Sequence, residues 1–458
     1  MSEASTIKVA AAQIQAFGLE QAQQSLAAVG RAVRQAAEAE VDLLVLPECA
    51  YPAYLIRSVD AYRAADVLPP SEYIITLARL ARKNKLHIVS GYIEDVGTHL
   101  HNSAVLIDSA GQEVGTYRKS FLWAADNSYF KPGERISVFE TALGRIGMVI
   151  CADTRAPEII AKQIMDGAQV IAMPTCWVNV ATKPGCYENP QPEFLISARA
   201  REFDVPFVCA NKYGMETADV GYCGRSIIAD RTGALLAEAP GDAETLLVGE
   251  IELPERDPGQ APELWESVVC WKEPIRPTPK VLDPVSVAVR PAGPMAAHDV
   301  ERIRSQGVRL LVVNVAPDES AAVESVPDAE HFDIVTPDYA GAVRDVGIGK
   351  VGCVVGEEFR CFDRVRLLAL GGAEIVCVFD APDDVRLMRA RAIENRTFIL
   401  AVGREISAIV SPSGELLAYS SRAGDDGLMV EINMAEAALK TVAPHTDIWE
   451  QRRVDAYK

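Results

Sequence analysis

Two periods of apolar residues alternate along the first half of the chain. Short apolar runs predict strands, and Ala-rich stretches with apolar residues three and four positions apart predict amphipathic helices. The predicted strands cover 7–13, 41–46, 87–92, 146–150 and 170–173, and the predicted helices cover 19–40, 71–85 and 157–166. A hairpin is expected over 102–117, with its turn at Ser109-Ala110-Gly111. This alternation predicts a mixed α/β fold.

The second half of the chain repeats the first half at several places and in the same order. The matching segments are 146–150 with 351–355, 41–46 with 308–313, and Ala198-Arg199-Ala200 ahead of Glu202 with Ala390-Arg391-Ala392 ahead of Glu394. A repeat of ~200 residues is too long for a solenoid unit, so each copy is expected to have its own core. The sequence therefore predicts two similar domains in tandem.

A run of prolines separates the two copies. Prolines at 274, 277, 279 and 284 favour extended backbone and remove amide donors, which predicts a linker over 271–284. Residues 1–270 are then the first domain, 285–440 the second and smaller domain, and 441–458 a C-terminal tail.

Composition and charge narrow the class of protein. The 458 residues are 49% hydrophobic and 24% charged, as in ordinary globular proteins. A net charge of −19 repels phosphate backbones and anionic lipids, so neither nucleic acid nor a membrane is an expected partner. The sequence has no signal-peptide pattern and no long apolar span, so we expect a cytoplasmic protein. Its ten cysteines are scattered and lack metal-site spacing, so we expect reduced thiols and no metal.

Three residues at predicted strand ends or after the hairpin are candidates for catalysis. Glu48 ends Leu-Pro-Glu, Lys119 ends Tyr-Arg-Lys, and Cys151 lies in Val-Ile-Cys-Ala-Asp. A catalytic thiol needs a base for its proton and a cation for the charge that develops on the attacked carbonyl group. Glu, Lys and Cys can supply these roles, although each one alone is as compatible with a buried thiol or a solvated or capping charge.

Several motifs in a fixed order give these three residues a context. They are Leu46-Pro47-Glu48, Tyr117-Arg118-Lys119, Tyr129-Phe130-Lys131-Pro132-Gly133, the run from Gly147 to Glu158, and Gly224-Arg225-Ser226 before Asp230-Arg231-Thr232-Gly233. With these motifs the segment 7–253 resembles the nitrilase superfamily, also called carbon-nitrogen hydrolases.

This resemblance implies an αββα four-layer sandwich, present here in two tandem copies. It implies a triad in which Glu48 is the base, Cys151 the nucleophile, and Lys119 with the backbone N–H of Ala152 the oxyanion stabiliser. It also implies hydrolysis through a Cys thioester, without metal or organic cofactor.

One position departs from the family pattern. Members often carry a second acid, usually Glu, where this chain has Asp126. The side chain is one methylene shorter, so a hydrogen bond to substrate or to Lys119 would be made from another distance or through water. The alternative is an acid in a solvated loop.

The residues after the nucleophile bear on the substrate. True nitrilases typically follow Cys with Trp-Glu, whereas the run Cys151 to Glu158 resembles the Cys-x-Asp-x-Arg-x-Pro-Glu of amidase and carbamoylase branches. A linear amide or N-carbamoyl substrate is therefore expected, with nitrile hydrolysis as the alternative. Arg155 either binds a substrate carboxylate or pairs with Asp153 or Glu158, and Trp177 is either a pocket wall or a core residue.

The second copy is expected to be inactive. The strand alignment places Val315 opposite Glu48 and Gly356 opposite Cys151, and Lys119 has no evident counterpart. A copy without reactive groups suggests packing or regulation, for instance by covering the face through which such domains usually pair. A homo-oligomer is also possible. Acyl transfer on the same triad and a non-catalytic scaffold remain alternative functions.

Overall fold

The structure is a computed structural model. It describes residues 5–181, 183, 185–281, 283–290, 297–314, 332–421 and 427–457. Contacts divide the chain into two compact units. The first comprises Met1–Ala261, Ala443–Thr446 and Gln451–Lys458, and the second comprises Pro262–Val442 and Asp447–Glu450. The sequence instead places the end of the first domain at residue 270 and treats 441–458 as a separate tail.

The first unit alternates strands and helices. Its strands are β1 Ser5–Gln15, β2 Leu43–Val45, β3 His87–Asp95, β4 Leu100–Ile107, β5 Glu113–Arg118, β6 Val138–Thr141, β7 Gly144–Met148, β8 Val170–Pro174, β9 Phe207–Ala210, β10 Lys212–Met215, β11 Gly221–Cys223, β12 Ile227–Ala229, β13 Leu235–Glu238 and β14 Thr245–Leu253. Its helices are α1 Ala22–Glu38, α2 Val59–Ala64, α3 Pro70–Asn84, α4 Asp126–Tyr129, α5 Pro157–Met165 and α6 Ile196–Phe203.

Two sheets form the middle layers of this unit. One has the order β11-β10-β1-β2-β3-β4-β5 with β14 also paired to β1, and the other has the order β13-β12-β9-β8-β7-β6. Strands β1, β2 and β3 contact β8, β9 and β12 across the interior. Helices α1 and α3 cover the first sheet, and α6 packs against β12 of the second. The result is the expected αββα sandwich.

The apolar spacing of α1 explains its placement. Ala28, Val29, Ala32, Val33 and Ala36 are all buried and pack in one cluster with apolar residues of β2 and β3. This three-and-four spacing puts them on one helix face. The helix begins later than predicted, because residues 19–21 form a separate 3-10 turn.

The strand predicted over 146–150 ends early. Observed β7 stops at Met148, and the N–H of Ile150 donates to the Asp153 carboxylate (2.8 Å) rather than continuing the sheet ladder. The chain then enters a 3-10 turn over Cys151–Arg155. A side-chain acceptor three residues ahead thus takes the N–H of Ile150, the residue directly before the candidate nucleophile.

The second unit repeats this plan with fewer strands. Its strands are β15 Val285–Arg290, β16 Val308–Val313, β17 Asp333–Val335, β18 Val343–Val346, β19 Gly349–Val355, β20 Ile375–Ala381, β21 Phe398–Gly403, β22 Ser407–Val410, β23 Leu416–Ser420 and β24 Leu428–Ile432. Its helices are α7 Trp265–Cys270, α8 Ala297–Ser305, α9 Phe362–Leu370, α10 Val385–Asn395 and α11 Ala435–Ala438, and two short strands follow, β25 Thr441–Ala443 and β26 Thr446–Asp447.

The layers of the second unit match those of the first. A four-stranded sheet, β17-β16-β15-β24, and a six-stranded sheet, β18 to β23 in sequence order, enclose one apolar core. Helix α8 packs on the outer face of the smaller sheet, and α9 and α10 pack on that of the larger. The four-stranded sheet corresponds to β3-β2-β1-β14, and the six-stranded sheet to β6-β7-β8-β9-β12-β13. Two tandem copies of one fold are thus present, the second reduced.

The reduction removes the part of the fold that carries Lys119. In the first unit β3 is followed by the β4–β5 hairpin, which ends at Arg118. In the described range 332–421, only a 3-10 turn over Pro337–Tyr339 lies between β17 and β18. No described segment of the second unit therefore corresponds to this hairpin.

In each copy, one buried arginine makes the same kinds of contact. Arg199 of α6 pairs with Glu202 (2.8 Å) and donates to the Thr154 carbonyl (3.0 Å). Arg391 of α10 pairs with Glu394 (3.0 Å) and donates to the Phe359 carbonyl (3.2 Å). Each arginine thereby ties its helix to the turn that follows β7 in the first unit or β19 in the second.

None of the helices in the described part of the chain combines the length and apolar character needed to cross a membrane.

We predict that Arg391→Met destabilises the second unit. The side chains of Arg391 and Glu394 are fully buried, and removal of one partner of a buried ion pair typically lowers the free energy of unfolding by about 3–5 kcal/mol. Urea denaturation read by hydrogen exchange in peptides of the second unit measures this loss. Exposed Arg386 on the same helix provides the control, since Arg386→Met should change stability by less than ~0.5 kcal/mol. Equal effects of the two variants would contradict the proposed tie.

Candidate active site

The residues of the candidate triad lie just after the ends of three strands. Glu48 follows β2, Lys119 follows β5, and Cys151 follows β7. All three are buried, with residue exposures of 0%, 1% and 7%. Glu48 and Lys119 lie close enough to Cys151 for their charges to act on its pKa. The fold therefore brings together residues that are far apart in the sequence.

The Lys119 ammonium is held by two carboxylates. Its Nζ lies 2.7 Å from Glu48 Oε1 and 2.7 Å from Asp126 Oδ2. An ammonium group has three N–H donors, so two are engaged by these partners. Burial opposes the charge on Lys119, but Asp126 and Glu48 together raise its pKa well above the ordinary value.

Asp126 is a buried partner of Lys119 rather than a solvated loop acid. Its side chain is fully buried, and its Oδ2 also accepts from the Trp123 N–H (2.9 Å). The shorter acid thus reaches Lys119 directly, without an intervening water. Its place at the start of α4 brings the carboxylate within this distance.

Asn102 completes the buried cluster. Its amide donates to Glu48 Oε1 (2.6 Å) and to Asp126 Oδ1 (3.2 Å), so one side chain bridges both carboxylates. The other oxygen of Glu48, Oε2, is buried and has no hydrogen-bond partner among the described residues. A buried carboxylate oxygen without a donor remains available to accept a proton. Sequence reasoning missed Asn102, because a polar residue inside a hairpin strand has no distinctive spacing.

The candidate nucleophile lies at a sharp turn. Cys151 has φ 46°, in the left-handed region that a non-glycine residue seldom adopts. Asp153 stabilises this turn: its carboxylate accepts from the N–H groups of Ser120 (3.1 Å), Phe121 (2.7 Å) and Ile150 (2.8 Å). The same acid thus ties the nucleophile turn to the segment directly after Lys119.

Burial controls protonation at the site. Burial and the charge of Glu48 raise the pKa of the Cys151 thiol to about 12, although Lys119 opposes this. Burial also raises the pKa of Glu48, and Asp126 adds to the rise while Lys119 opposes it. At neutral pH the resting sulfur therefore carries its proton, and its chemistry requires a base next to it.

Trp177 and Gln191 border the nucleophile turn. Gln191 donates to the Thr154 hydroxyl (2.5 Å) and to the Cys151 carbonyl (3.0 Å), and its oxygen accepts from the Trp177 indole nitrogen (3.3 Å). Trp177 is fully buried. The ring of Tyr54 lies 6.0 Å from Lys119 Nζ. Gln191 was not singled out from the sequence, since it lies in a loop-like stretch rich in Pro, Gly and Asn.

Ala152 and Arg155 belong to the same 3-10 turn as Cys151. Ala152 is buried directly after the nucleophile. The Arg155 guanidinium stacks over the ring of Trp123, 4.3 Å from its centroid. Glu158, one of the partners predicted for Arg155, lies 3.5 Å from Arg452 Nε.

The second copy retains the backbone of the nucleophile turn without the thiol. Gly356 follows β19, has φ 57° and begins a 3-10 turn over Gly356–Arg360. This matches the position of Cys151 after β7. Val315, predicted opposite Glu48, lies outside the described residues. Gly356 carries no side chain and cannot act as a nucleophile.

Within the described ranges, no group of three or more His, Cys, Asp or Glu side chains is arranged to hold a metal ion.

Comparison with known proteins defines the family. The carbon-nitrogen hydrolase model matches residues 8–258 and again residues 313–440, together well over half of the chain. The chain belongs to the carbon-nitrogen hydrolase family. The second match agrees with the reduced copy of the fold.

The relatives carry several activity names. An N-carbamoylputrescine amidase of Arabidopsis thaliana is 27% identical over 243 residues, covering 50% of this chain and 81% of that protein. A nitrilase of Pyrococcus abyssi is 30% identical over 223 residues, covering 48% and 80%. Among solved structures, a mutant of the Nesterenkonia AN1 amidase from the nitrilase superfamily has a TM-score of 0.49 and 25% identity, covering 55% of this chain and 92% of that one.

We predict that Lys119→Met strongly destabilises the first unit. Without the ammonium, two buried carboxylates are left facing each other, which should lower the free energy of unfolding by about 3–5 kcal/mol. The double variant Lys119→Met with Asp126→Asn should recover part of this loss, because it removes one of the two charges. Urea denaturation read by hydrogen exchange in first-unit peptides measures both.

Lys162 supplies the matched control for this prediction. It pairs with Asp166 (2.6 Å) where both side chains are partly exposed to solvent, so Lys162→Met should change stability by less than ~1 kcal/mol. A Lys119→Met variant as stable as this control would contradict the buried ion cluster.

Proposed function

We propose that the first unit hydrolyses a non-peptide C–N bond, in a linear amide or an N-carbamoyl group, through a thioester on Cys151. One observation carries the proposal: a buried carboxylate, a buried ammonium and a thiol at a strained turn share one site. These are the base, the oxyanion partner and the nucleophile that acyl transfer needs.

The first half-reaction forms the thioester. Glu48 accepts the Cys151 proton as the sulfur attacks the carbonyl carbon, and a C–S bond forms. The remaining N–H of Lys119, with the N–H of Ala152, stabilises the negative oxygen of the tetrahedral intermediate. Glu48 then gives its proton to the leaving nitrogen as the C–N bond breaks.

The second half-reaction consumes water. Glu48 accepts a proton from water as the water oxygen attacks the thioester carbon. The C–S bond then breaks, and Glu48 returns the proton to the sulfur. The products are a carboxylic or carbamic acid and ammonia or an amine. The chemistry needs neither metal nor organic cofactor.

The substrate class rests on residues beside the nucleophile. The Cys-Ala-Asp-Thr-Arg-Ala-Pro-Glu run and the relatives named as amidases support an amide or N-carbamoyl group, and the relative named nitrilase keeps a nitrile as the competing substrate. We assign substrate contacts to Trp177 and Arg155 near the turn, and the positioning of Lys119 to Asp126. The Arg155 guanidinium, which stacks on the Trp123 ring, is a planar group whose N–H donors match the geometry of a substrate carboxylate.

A substrate panel tests this function. Primary amides, N-carbamoyl amines and nitriles are compared by ammonia release, with intact mass to detect an acyl adduct and hydroxylamine to detect acyl transfer. We expect turnover of at least one amide or N-carbamoyl compound, an adduct on Cys151, and background rates for Cys151→Ala. Ammonia from nitriles alone would overturn the amide assignment. Hydroxamate without hydrolysis would indicate a transferase, and no adduct from any compound would indicate a non-catalytic protein.

The pH profile gives a second prediction. Glu48 must be unprotonated to act as a base, and burial raises its pKa above the ordinary 4.5, so the acid limb of kcat/KM should lie above pH 4.5. Asp126→Asn removes a negative charge that raises this pKa, so the limb should move to lower pH. The surface variant Asp166→Asn should leave it in place. A limb that stays fixed in Asp126→Asn, or moves to higher pH, would contradict the coupling of the two acids.

A further inference from the structure

The last residues of the chain belong to the first unit. After the second copy, the chain contributes Ala443–Thr446 and Gln451–Lys458 to the unit that carries the candidate active site. Thr446 is buried, with 1% of its surface exposed. A buried polar side chain in a terminal segment requires partners, and its partners lie next to the triad.

The segment Ser120–Ala125 joins Lys119 to Asp126, so its shape sets the distance between the ammonium and its second carboxylate. The N–H groups of Ser120 and Phe121 are held by Asp153, and that of Trp123 by Asp126 itself. Two further amides of this segment, those of Leu122 and Ala124, have neither of these acceptors.

The C-terminal residues supply the missing acceptors. The Ala124 N–H donates to Thr446 Oγ1 (2.8 Å), and the Leu122 N–H donates to Gln451 Oε1 (3.3 Å). The Gln451 amide also donates to Asn127 Oδ1 (3.0 Å). Ala124 has φ 45°, so its conformation must be stabilised by its surroundings.

A buried ion pair also links the C-terminal segment to the helix that follows the candidate nucleophile. Arg452 Nε lies 3.5 Å from Glu158 Oε1, and both side chains are at least 97% buried. Glu158 lies in α5, directly after the nucleophile turn. The C-terminal segment therefore contacts both the Lys119–Asp126 connection and the helix that follows Cys151.

We propose that Thr446 and Gln451 are positioning residues that hold the Ser120–Ala125 connection, and through it the Lys119–Asp126 pair, in the geometry needed for reaction at Cys151. The inference rests on the proposed function of that site. It also relates the second copy to the candidate site, because Thr446 and Gln451 follow the second copy in the sequence and yet belong to the first unit.

The test combines two readouts on the full chain. The first is the rate at which iodoacetamide alkylates Cys151, measured by peptide mass. This reaction depends on the surroundings of Cys151 but requires no substrate. Exposed Cys270 and Cys361 serve as internal references. The second is kcat and KM for an amide or N-carbamoyl compound turned over by the wild type. Thermal melting shows that each variant is folded.

We expect Thr446→Val and Gln451→Met each to lower Cys151 alkylation and kcat by roughly tenfold, with KM changed by less than about twofold. Thr446→Ser keeps the acceptor and should restore both rates. Exposed Asp455 in the same segment provides the control, and Asp455→Asn should behave as wild type.

The outcomes separate this inference from the proposed function. Alkylation lowered in both variants and restored by Thr446→Ser, without turnover by any protein, would support the positioning role and refute the hydrolase. Wild-type rates of alkylation in Thr446→Val and Gln451→Met, or equal losses in Thr446→Ser and Thr446→Val, would overturn the positioning role, whatever the turnover.

Discussion

The site depends on one buried ammonium shared by two carboxylates. Each charged group alone would be strongly destabilised in this interior, and the desolvation penalty is offset only because Lys119 lies 2.7 Å from both Glu48 and Asp126. Asn102 holds the two acids together, and Asp126 fixes the segment between Lys119 and itself by accepting from the Trp123 N–H. The same contacts that permit burial also orient the proposed base, leaving one Glu48 oxygen without a hydrogen-bond partner in the part of the chain that the structure describes.

Comparison of the two copies separates the features that stabilise the fold from the residues proposed to react. Both copies keep the six-stranded sheet, the positive-φ residue after its next-to-edge strand (β7 or β19), and a buried arginine that ties a helix to the turn. Among the described residues, only the first copy has a thiol at this turn and the hairpin that leads to Lys119. The strained turn therefore belongs to the architecture, and its chemistry depends on Cys at 151 in place of Gly at 356.

Sequence reasoning reached the fold class and the duplication, and it selected three candidate triad positions that the fold brings together, because strand periods, repeats and short motifs are local signals. It gave Asp126 two possible environments and could not choose, since the choice depends on α4 placing the acid next to Lys119. Asn102, Gln191 and the contacts of Thr446 and Gln451 were not predicted. Their partners are brought near by tertiary folding over 24 to 329 positions, and no periodic pattern marks such pairs.

Direct observation of the Lys119 ammonium tests the central claim. In protein labelled with 15N at lysine Nζ, with Lys119→Arg to assign the signal, the pH titration of Lys119 can be followed by NMR. The two carboxylates raise the pKa of Lys119, so its signal should remain that of a charged ammonium at pH 10.5, where an ordinary lysine is half deprotonated. A Lys119 signal that titrates at or below pH 10.5 would show that the ammonium is not held by Glu48 and Asp126, and would contradict this account of the site.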